Sequence, residues 1–189
     1  MNDFKLPIIH KFINLKNSRE YFLEDWFSVV SNPKFDQEKF FSQIVENCNK
    51  EQVYKILFEY KLKGEPYQKK DAVWFNDLAM SGWKDRSYFV FLITDLFKNI
   101  VGVIDIKSND LNGAEIGYWA DIDHKGVMTP AVGQLIKVAG LMGYKKLSAR
   151  VRINNFASQK VLKNNGFLNV GMAKLDDDGA ERFWFERVL

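Results

Sequence analysis

The sequence has little of what staples or metallates a small protein. It contains one cysteine, Cys48, and two histidines, His10 and His124, in 189 residues. A single cysteine excludes an intramolecular disulfide framework and any multi-cysteine metal site. Two histidines argue against a zinc hydrolase. Cys48 follows Phe41, Ile44 and Val45 at helical spacing, so it reads as a small buried hydrophobe, not a nucleophile. No apolar run approaches the ~20 residues of a membrane span, and no membrane partner is expected. The opening residues, Met1 to Lys5, lack the apolar segment of a secretory signal, so a cytoplasmic protein is expected. Charge of one sign is also scarce: 27 basic and 24 acidic residues leave +3. That bias is too weak to argue for nucleic acid, and no basic stripe carries interleaved aromatics. The lysines at 61, 63, 69 and 70 read as a solvated face.

What is present is a folded globular chain. Its 47% hydrophobic and 15% aromatic content can fill a substantial core, and with no linker, repeat or boundary the expectation is one domain over 1–189. Pro7 to Leu15 is a strand candidate. Asn17-Ser18 offers a cap for a helix carrying Phe22, Leu23, Trp26, Phe27 and Val30. Asp36 caps a second helix with Phe40, Phe41, Ile44 and Val45. A third, from Lys50, carries Val53, Ile56, Leu57 and Tyr60 until Gly64-Glu65-Pro66 breaks it. A short helix over Asp71 to Met80 is expected to stop at Ser81-Gly82. These aromatic-rich helices offer one possible homodimer surface.

From Tyr88 the period becomes that of strands. Tyr88 to Thr94 and Ile100 to Lys107 form a hairpin, and a third strand begins at Ala114. After a polar loop, Thr129-Pro130 opens an amphipathic helix whose stripe is Val132, Leu135, Ile136, Ala139 and Met142, with Thr129 as its cap. Lys146 to Ile153 alternates cleanly. Asn155 then caps a short helix closed by Asn165-Gly166. A strand to about Leu175, a turn at Asp176 to Gly179 and a last strand, Arg182 to Val188, complete the chain. The expected architecture is α/β: a mixed, mostly antiparallel sheet of about seven strands with helices on both faces.

The stretch from Ala114 to Phe167 is strand, loop, helix, strand, helix. A helix N-terminus presents unpaired N–H groups and partial positive charge, so the helix after Gly126 is ready to hold a phosphate. Gly126 lets the loop approach a ligand, and Lys125 adds charge. An ordinary strand-to-helix turn is the alternative, just as Asn155 is on its own an N-cap.

Three segments together carry more: Glu115-Ile116-Gly117-Tyr118-Trp119, then Gly126-Val127-Met128-Thr129-x-Ala131, then Asn155-x-Ala157-Ser158-x-x-Val161 leading to Gly166-Phe167. Over Tyr88 to Leu189 they resemble the GNAT N-acetyltransferases, in particular the branch of ribosomal-protein N-terminal acetyltransferases; residues 1–86 match by element order only and would shape the acceptor site, with 87–189 as the acyl-coenzyme A core. The resemblance implies acetyl-coenzyme A (acetyl-CoA) in a wedge between the strand ending at Trp119 and the strand starting near Lys146. Backbone groups of Trp119, Ala120, Asp121 and Ile122 would hold the pantetheine. N–H groups of Lys125, Gly126, Val127, Met128 and Thr129 would hold the pyrophosphate, and Asn155 would contact the pantetheine arm. The acceptor would be a primary amine, either a protein N-terminus or a small molecule, attacking the thioester directly.

The chain departs from the family at three places. Where many relatives carry a tyrosine acid it has Leu162, and Ser158, the serine of Asn-x-x-Ser, becomes the candidate proton donor as well as a cofactor contact, a helix-start hydroxyl bonded to backbone being the alternative. The loop has only His124-Lys125-Gly126 in place of the usual two-glycine motif. The base is open among Glu115, Asp176 and Asp177, the aspartates being ordinary turn residues in the alternative. The short loop and Leu162 also leave open a non-catalytic member that binds a coenzyme A species or a partner protein.

Overall fold

The computed structural model describes residues 9–174 and 178–189. One eight-stranded sheet runs through it in the order β1-β2-β3-β4-β5-β6-β8-β7. Its strands are β1 (Ile9–Asn14), β2 (Arg19–Asp25), β3 (Phe89–Asp95), β4 (Ile100–Ile106), β5 (Ala114–Ala120), β6 (Lys146–Arg152), β7 (Leu168–Met172) and β8 (Arg182–Val188). Neighbours pair antiparallel except β5 and β6, which are parallel. The helices are α1 (Trp26–Val30), α2 (Gln37–Asn49), α3 (Glu51–Leu57), α4 (Lys69–Lys84), α5 (Met128–Met142) and α6 (Phe156–Asn164).

Helices cover both faces because the central strands are apolar on both. Phe89 to Thr94 of β3 and all of β4 are buried, as expected of strands sandwiched between layers. On one face Ile104, Ile106, Ile116, Leu147, Ala149 and Val151 pack against Ala131, Val132 and Leu135 of α5 and Leu162 of α6. On the other, Val90, Leu92, Ile100 and Val103 pack against Trp26, Phe40, Phe41, Ile44 and Cys48. Cys48 is 1% exposed, and burial pushes its thiol pKa well up, which fits a buried hydrophobe.

Two expected elements are corrected. The helix expected from Asn17-Ser18 is instead β2 followed by α1. Ser18 takes φ +56° in a tight turn, the Asn17 side chain accepts from Arg19 N–H at 3.0 Å, and Tyr21 and Leu23 alternate into the core. Pairing with β1 and β3 outweighs a helical spacing of apolar residues. Asp25, not Asn17, caps α1, accepting from Ser28 N–H at 2.7 Å. The sheet therefore has one strand more than expected. The helix expected to stop at Ser81-Gly82 runs on to Lys84. Gly82 is there for contact: a Cβ would lie 2.5 Å from the Tyr88 carbonyl oxygen, so only glycine lets α4 lie on the start of β3.

Candidate active site

The parallel pair β5–β6 is where the sheet opens. Each strand has seven residues, yet they pair only at Ala114↔Leu147 and Glu115↔Ser148 and then diverge. The ladder toward β4 uses the odd residues of β5 and its continuation: Lys107 N–H donates to the Glu115 carbonyl at 2.9 Å and Asp121 N–H to the Val101 carbonyl at 2.8 Å. Alternation then leaves the main-chain groups of Ile116, Tyr118 and Ala120 facing the opening. A cleft of about 980 Å³ fills it, bounded by β5, β6, the loop into α5, the start of α6 and the overhanging residues Ile56, Tyr60 and Lys61.

The loop into α5 is built to present N–H groups. Gly126 takes φ +87°, a left-handed conformation that glycine adopts without strain. The first helical bond runs from Ala131 N–H to the Val127 carbonyl, and α5 has no side-chain cap. Thr129 is therefore not the cap; it lies inside the first turn, and its carbonyl accepts from Asn165 Nδ2 at 3.0 Å. The N–H groups of Lys125, Gly126, Met128 and Thr129 find no acceptor among the described residues, whereas Val127 N–H donates to His124.

The loop is held from behind by the N-terminal hairpin. Asn14 Nδ2 donates to the Lys125 carbonyl at 3.2 Å, and the Tyr21 hydroxyl meets His124 Nδ1 at 3.2 Å. The Lys16 stem crosses Gly126, where a Cβ would sit 2.8 Å from Lys16 Cδ. Asp121 turns its side chain away to Lys50 at 2.6 Å. Burial alone would lower the Lys50 pKa, but hydrogen bonds to Asp121 and Asp123 outweigh it and raise it. With its N–H in the ladder and its carboxylate on Lys50, Asp121 acts as a brace.

Across the opening, Asn155 caps α6, its Oδ1 accepting from Ser158 N–H at 3.1 Å. The Ser158 carbonyl accepts from the Tyr118 hydroxyl at 3.3 Å, which ties α6 to β5. Burial raises the Tyr118 pKa, so this phenol stays protonated. Ser158 lines the cleft, and its side chain hydrogen-bonds the Tyr118 hydroxyl, which offsets part of the effect of burial on that phenol. Leu162, one turn on, is fully buried.

Glu115 lines the cleft between two cations, Lys107 at 3.0 Å and Arg150 at 2.9 Å. Behind it Asp105 is buried, accepting from the Tyr88 hydroxyl at 2.7 Å and from Gly117 N–H at 2.9 Å. Burial raises its pKa to about 6 against the pull of Lys107. Asp178 sits between Arg152 at 2.9 Å and Arg182, whose hydrogen bond holds the carboxyl well below the usual range. Asp176 and Asp177 lie outside the described residues.

The structure thus brings ten of the expected cofactor positions to one cleft (Trp119, Ala120, Asp121, Ile122, Lys125, Gly126, Val127, Met128, Asn155 and Ser158) together with Glu115; only the Thr129 side chain stays off its lining. Sequence reading missed the basic set Lys107, Arg150, Arg152 and Arg182. A signal existed in the polar alternates of β6, Arg150 and Arg152, which had to face something other than the core.

A model of the acetyltransferase (GNAT) domain matches residues 23–168. The chain belongs to this acetyltransferase family, in which acetyl-CoA is the acetyl donor. Comparison with curated proteins found no match. Among solved structures, the microcin C7 self-immunity acetyltransferase MccE, with acetyl-CoA and AMP, is 20% identical, with 89% of this chain and 92% of that one covered and a TM-score of 0.72. RimJ from Mycobacterium smegmatis, with a CoA disulfide, is 15% identical over 95% and 86%, with a TM-score of 0.73. The spermidine N-acetyltransferase from Vibrio cholerae, with CoA and spermine, is 15% identical over 89% and 95%, with a TM-score of 0.66. Among the described residues no helix is long and apolar enough to cross a membrane.

Proposed function

We propose that this chain moves the acetyl group of acetyl-CoA to a primary amine, in the cytoplasm, with Ser158 as proton donor. The observation that carries the reading is the opening of β5 from β6 next to a capless helix start with four unpaired N–H groups. Those groups suit a pyrophosphate, because N–H donors and the helix dipole both favour anions. Lys125 and Lys16 add charge nearby and offset the single glycine. The gap-facing amides of β5 and the Asn155 side chain suit an extended amide-bearing arm, which needs alternating donors and acceptors.

Acetyl-CoA supplies an acetyl group on a thioester, which the amine attacks directly. The chain's residues do the rest. The amine must lose a proton as its C–N bond forms, and the departing sulfur must gain one as the C–S bond breaks. Ser158 Oγ is placed for the second task, since no backbone group engages it. Glu115, paired with Lys107 and Arg150, takes the first proton through a water; Asp176 remains a second candidate for that role.

Calorimetry with acetyl-CoA, and with desulfo-CoA as control, tests the reading. Micromolar binding together with acetyl transfer to an amine is the expected result. No binding at millimolar cofactor would sink it, and tight binding without transfer to any amine would favour a non-catalytic binding role.

A further inference from the structure

We infer, on the reading that Ser158 protonates the departing sulfur, that Tyr118 is a positioning residue for that step: its phenol orients the serine hydroxyl and makes it the stronger acid. The observation is that one phenol meets two oxygens of one residue. The Tyr118 hydroxyl donates to the Ser158 carbonyl at 3.3 Å and also hydrogen-bonds the Ser158 side chain. Strand alternation turns Tyr118 of β5 to the α5–α6 face. There it packs against the core that contains Leu162, and with Ser158 it lines the cleft. Leu162 is fully buried one turn further along α6, so that turn offers Ser158 no polar partner. The partner comes from the strand.

A serine hydroxyl on its own is a poor acid. A hydrogen bond donated to Oγ favours the form that has lost its proton, and a donor already in place meets the charge as it grows. Tyr118 has one proton and two Ser158 oxygens to give it to. With that proton on the carbonyl, the phenol oxygen accepts from Ser158, and the serine proton is held back. With the proton turned to Oγ, the serine proton is released to the cleft.

Ser158 then gives its proton to the sulfur, which keeps the electron pair of the broken C–S bond. Water returns to Oγ the equivalent of the proton that the amine sheds as its C–N bond forms. Tyr118 itself gives up no proton at any stage. Burial holds its pKa above the ordinary phenol value, which suits a group that donates a hydrogen bond and stays neutral.

The test joins kinetics to a readout on the cofactor-free protein. Tyr118→Phe should lower kcat at least about tenfold, with acetyl-CoA affinity unchanged by calorimetry. In the Ser158→Ala background the same change should cost less than about twofold, because a phenol that acts through Ser158 has nothing left to act on. With 3-fluorotyrosine at 118, the fluorine resonance of the cofactor-free protein should shift on Ser158→Ala, since the hydroxyl loses a partner. That analogue keeps the shape of tyrosine, so it also serves if Tyr118→Phe fails to fold: its kcat should differ from that of tyrosine with Ser158 present and match it in Ser158→Ala. Equal fold losses in both backgrounds, or a lower melting temperature with kcat intact, would reduce Tyr118 to a tie between α6 and β5 and overturn the inference. A fluorine resonance unmoved by Ser158→Ala would overturn it too. Ser158→Ala with full kcat would instead overturn the proton-donor reading on which the inference rests.

Discussion

On the α5–α6 side of the split sheet, the groups that would meet a ligand under the proposed function are main-chain amides; on the α1–α4 side they are charged side chains. The first set comes from consecutive residues, Lys125 to Thr129, and from the gap-facing edge of β5. The second is gathered from β4, β5, β6, β8 and the stretch after α3, so its members are up to 121 positions apart, from Lys61 to Arg182. Main-chain recognition needs only a backbone path, fixed by a glycine and a helix start. Side-chain recognition needs a whole sheet in register. Under the proposed function the donor side is thus generic and the acceptor side particular to this chain.

The largest test of that contrast is pH. Asp105 lies behind the charged face, and burial raises its pKa to about 6 from 3.8. A carboxyl with a raised folded pKa favours the folded state less as it ionises, so stability falls as pH rises from about 4 to 6 and is level above. At 1.36 kcal/mol per unit, the penalty above pH 6 is about 3 kcal/mol. Asp178 shifts the other way, and its contribution is lost only as pH falls below the ordinary aspartate range, outside this window. Urea unfolding between pH 4.5 and 7 should show a fall in the wild type that Asp105→Asn removes, leaving the opposite slope given by His10, whose pKa burial lowers. Cofactor affinity, which under the proposed function rests on amides, should be far less sensitive over the same range. A flat stability profile would mean that the charged half-sheet carries no such strain.

Next in size is Ser158→Ala. A general acid contributes at least about a hundredfold, so kcat should fall by that order while melting temperature and acetyl-CoA affinity hold. Loss of affinity with unchanged kcat would move Ser158 from chemistry to binding.

How far the sequence could be read follows the same division. The existence of α5 and its buried stripe, the Asn155 cap and the burial of Leu147, Ala149 and Val151 were legible because each depends on residues within a few positions. The Thr129 cap was misread because Ser/Thr-Pro marks many helix starts, and here the cap is Val127, two residues earlier, with the N–H groups of the first turn left unpaired. The strand β2 was misread because Phe22, Leu23, Trp26 and Val30 fit a helical face, and nothing local shows that β1 and β3 flank it. The charged face was invisible: Arg150 and Arg152 meet Glu115 and Asp178 only once the sheet is assembled. Lys16 over Gly126 is the same case, a contact across 110 positions.

That contact gives the third prediction. In Gly126→Val the new side chain must take a left-handed φ, at a cost of about 1–2 kcal/mol, and must displace Lys16. The loop should leave its amide-presenting path, and acetyl-CoA affinity should weaken about tenfold or more by calorimetry. Acceptor selectivity among turnovers that still occur should stay as it was. A change in acceptor preference would show that the two sides are coupled through the loop.

The smallest effect is expected at Asn155, where the two kinds of recognition meet in one residue. Its Oδ1 is committed to the Ser158 N–H, and removing such a cap costs about 1 kcal/mol. Its Nδ2 has no partner among the described residues, and Asn155 lines the cleft. Asn155→Asp keeps the cap and removes the donor, whereas Asn155→Ala removes both. If Asn155 serves the cofactor, both variants should weaken acetyl-CoA binding severalfold, and only Asn155→Ala should lower the melting temperature. If its role is the cap alone, Asn155→Asp should match the wild type in stability and in binding. The donor side would then rest on main-chain groups throughout, and the contrast with the charged side would be sharper than the structure already makes it.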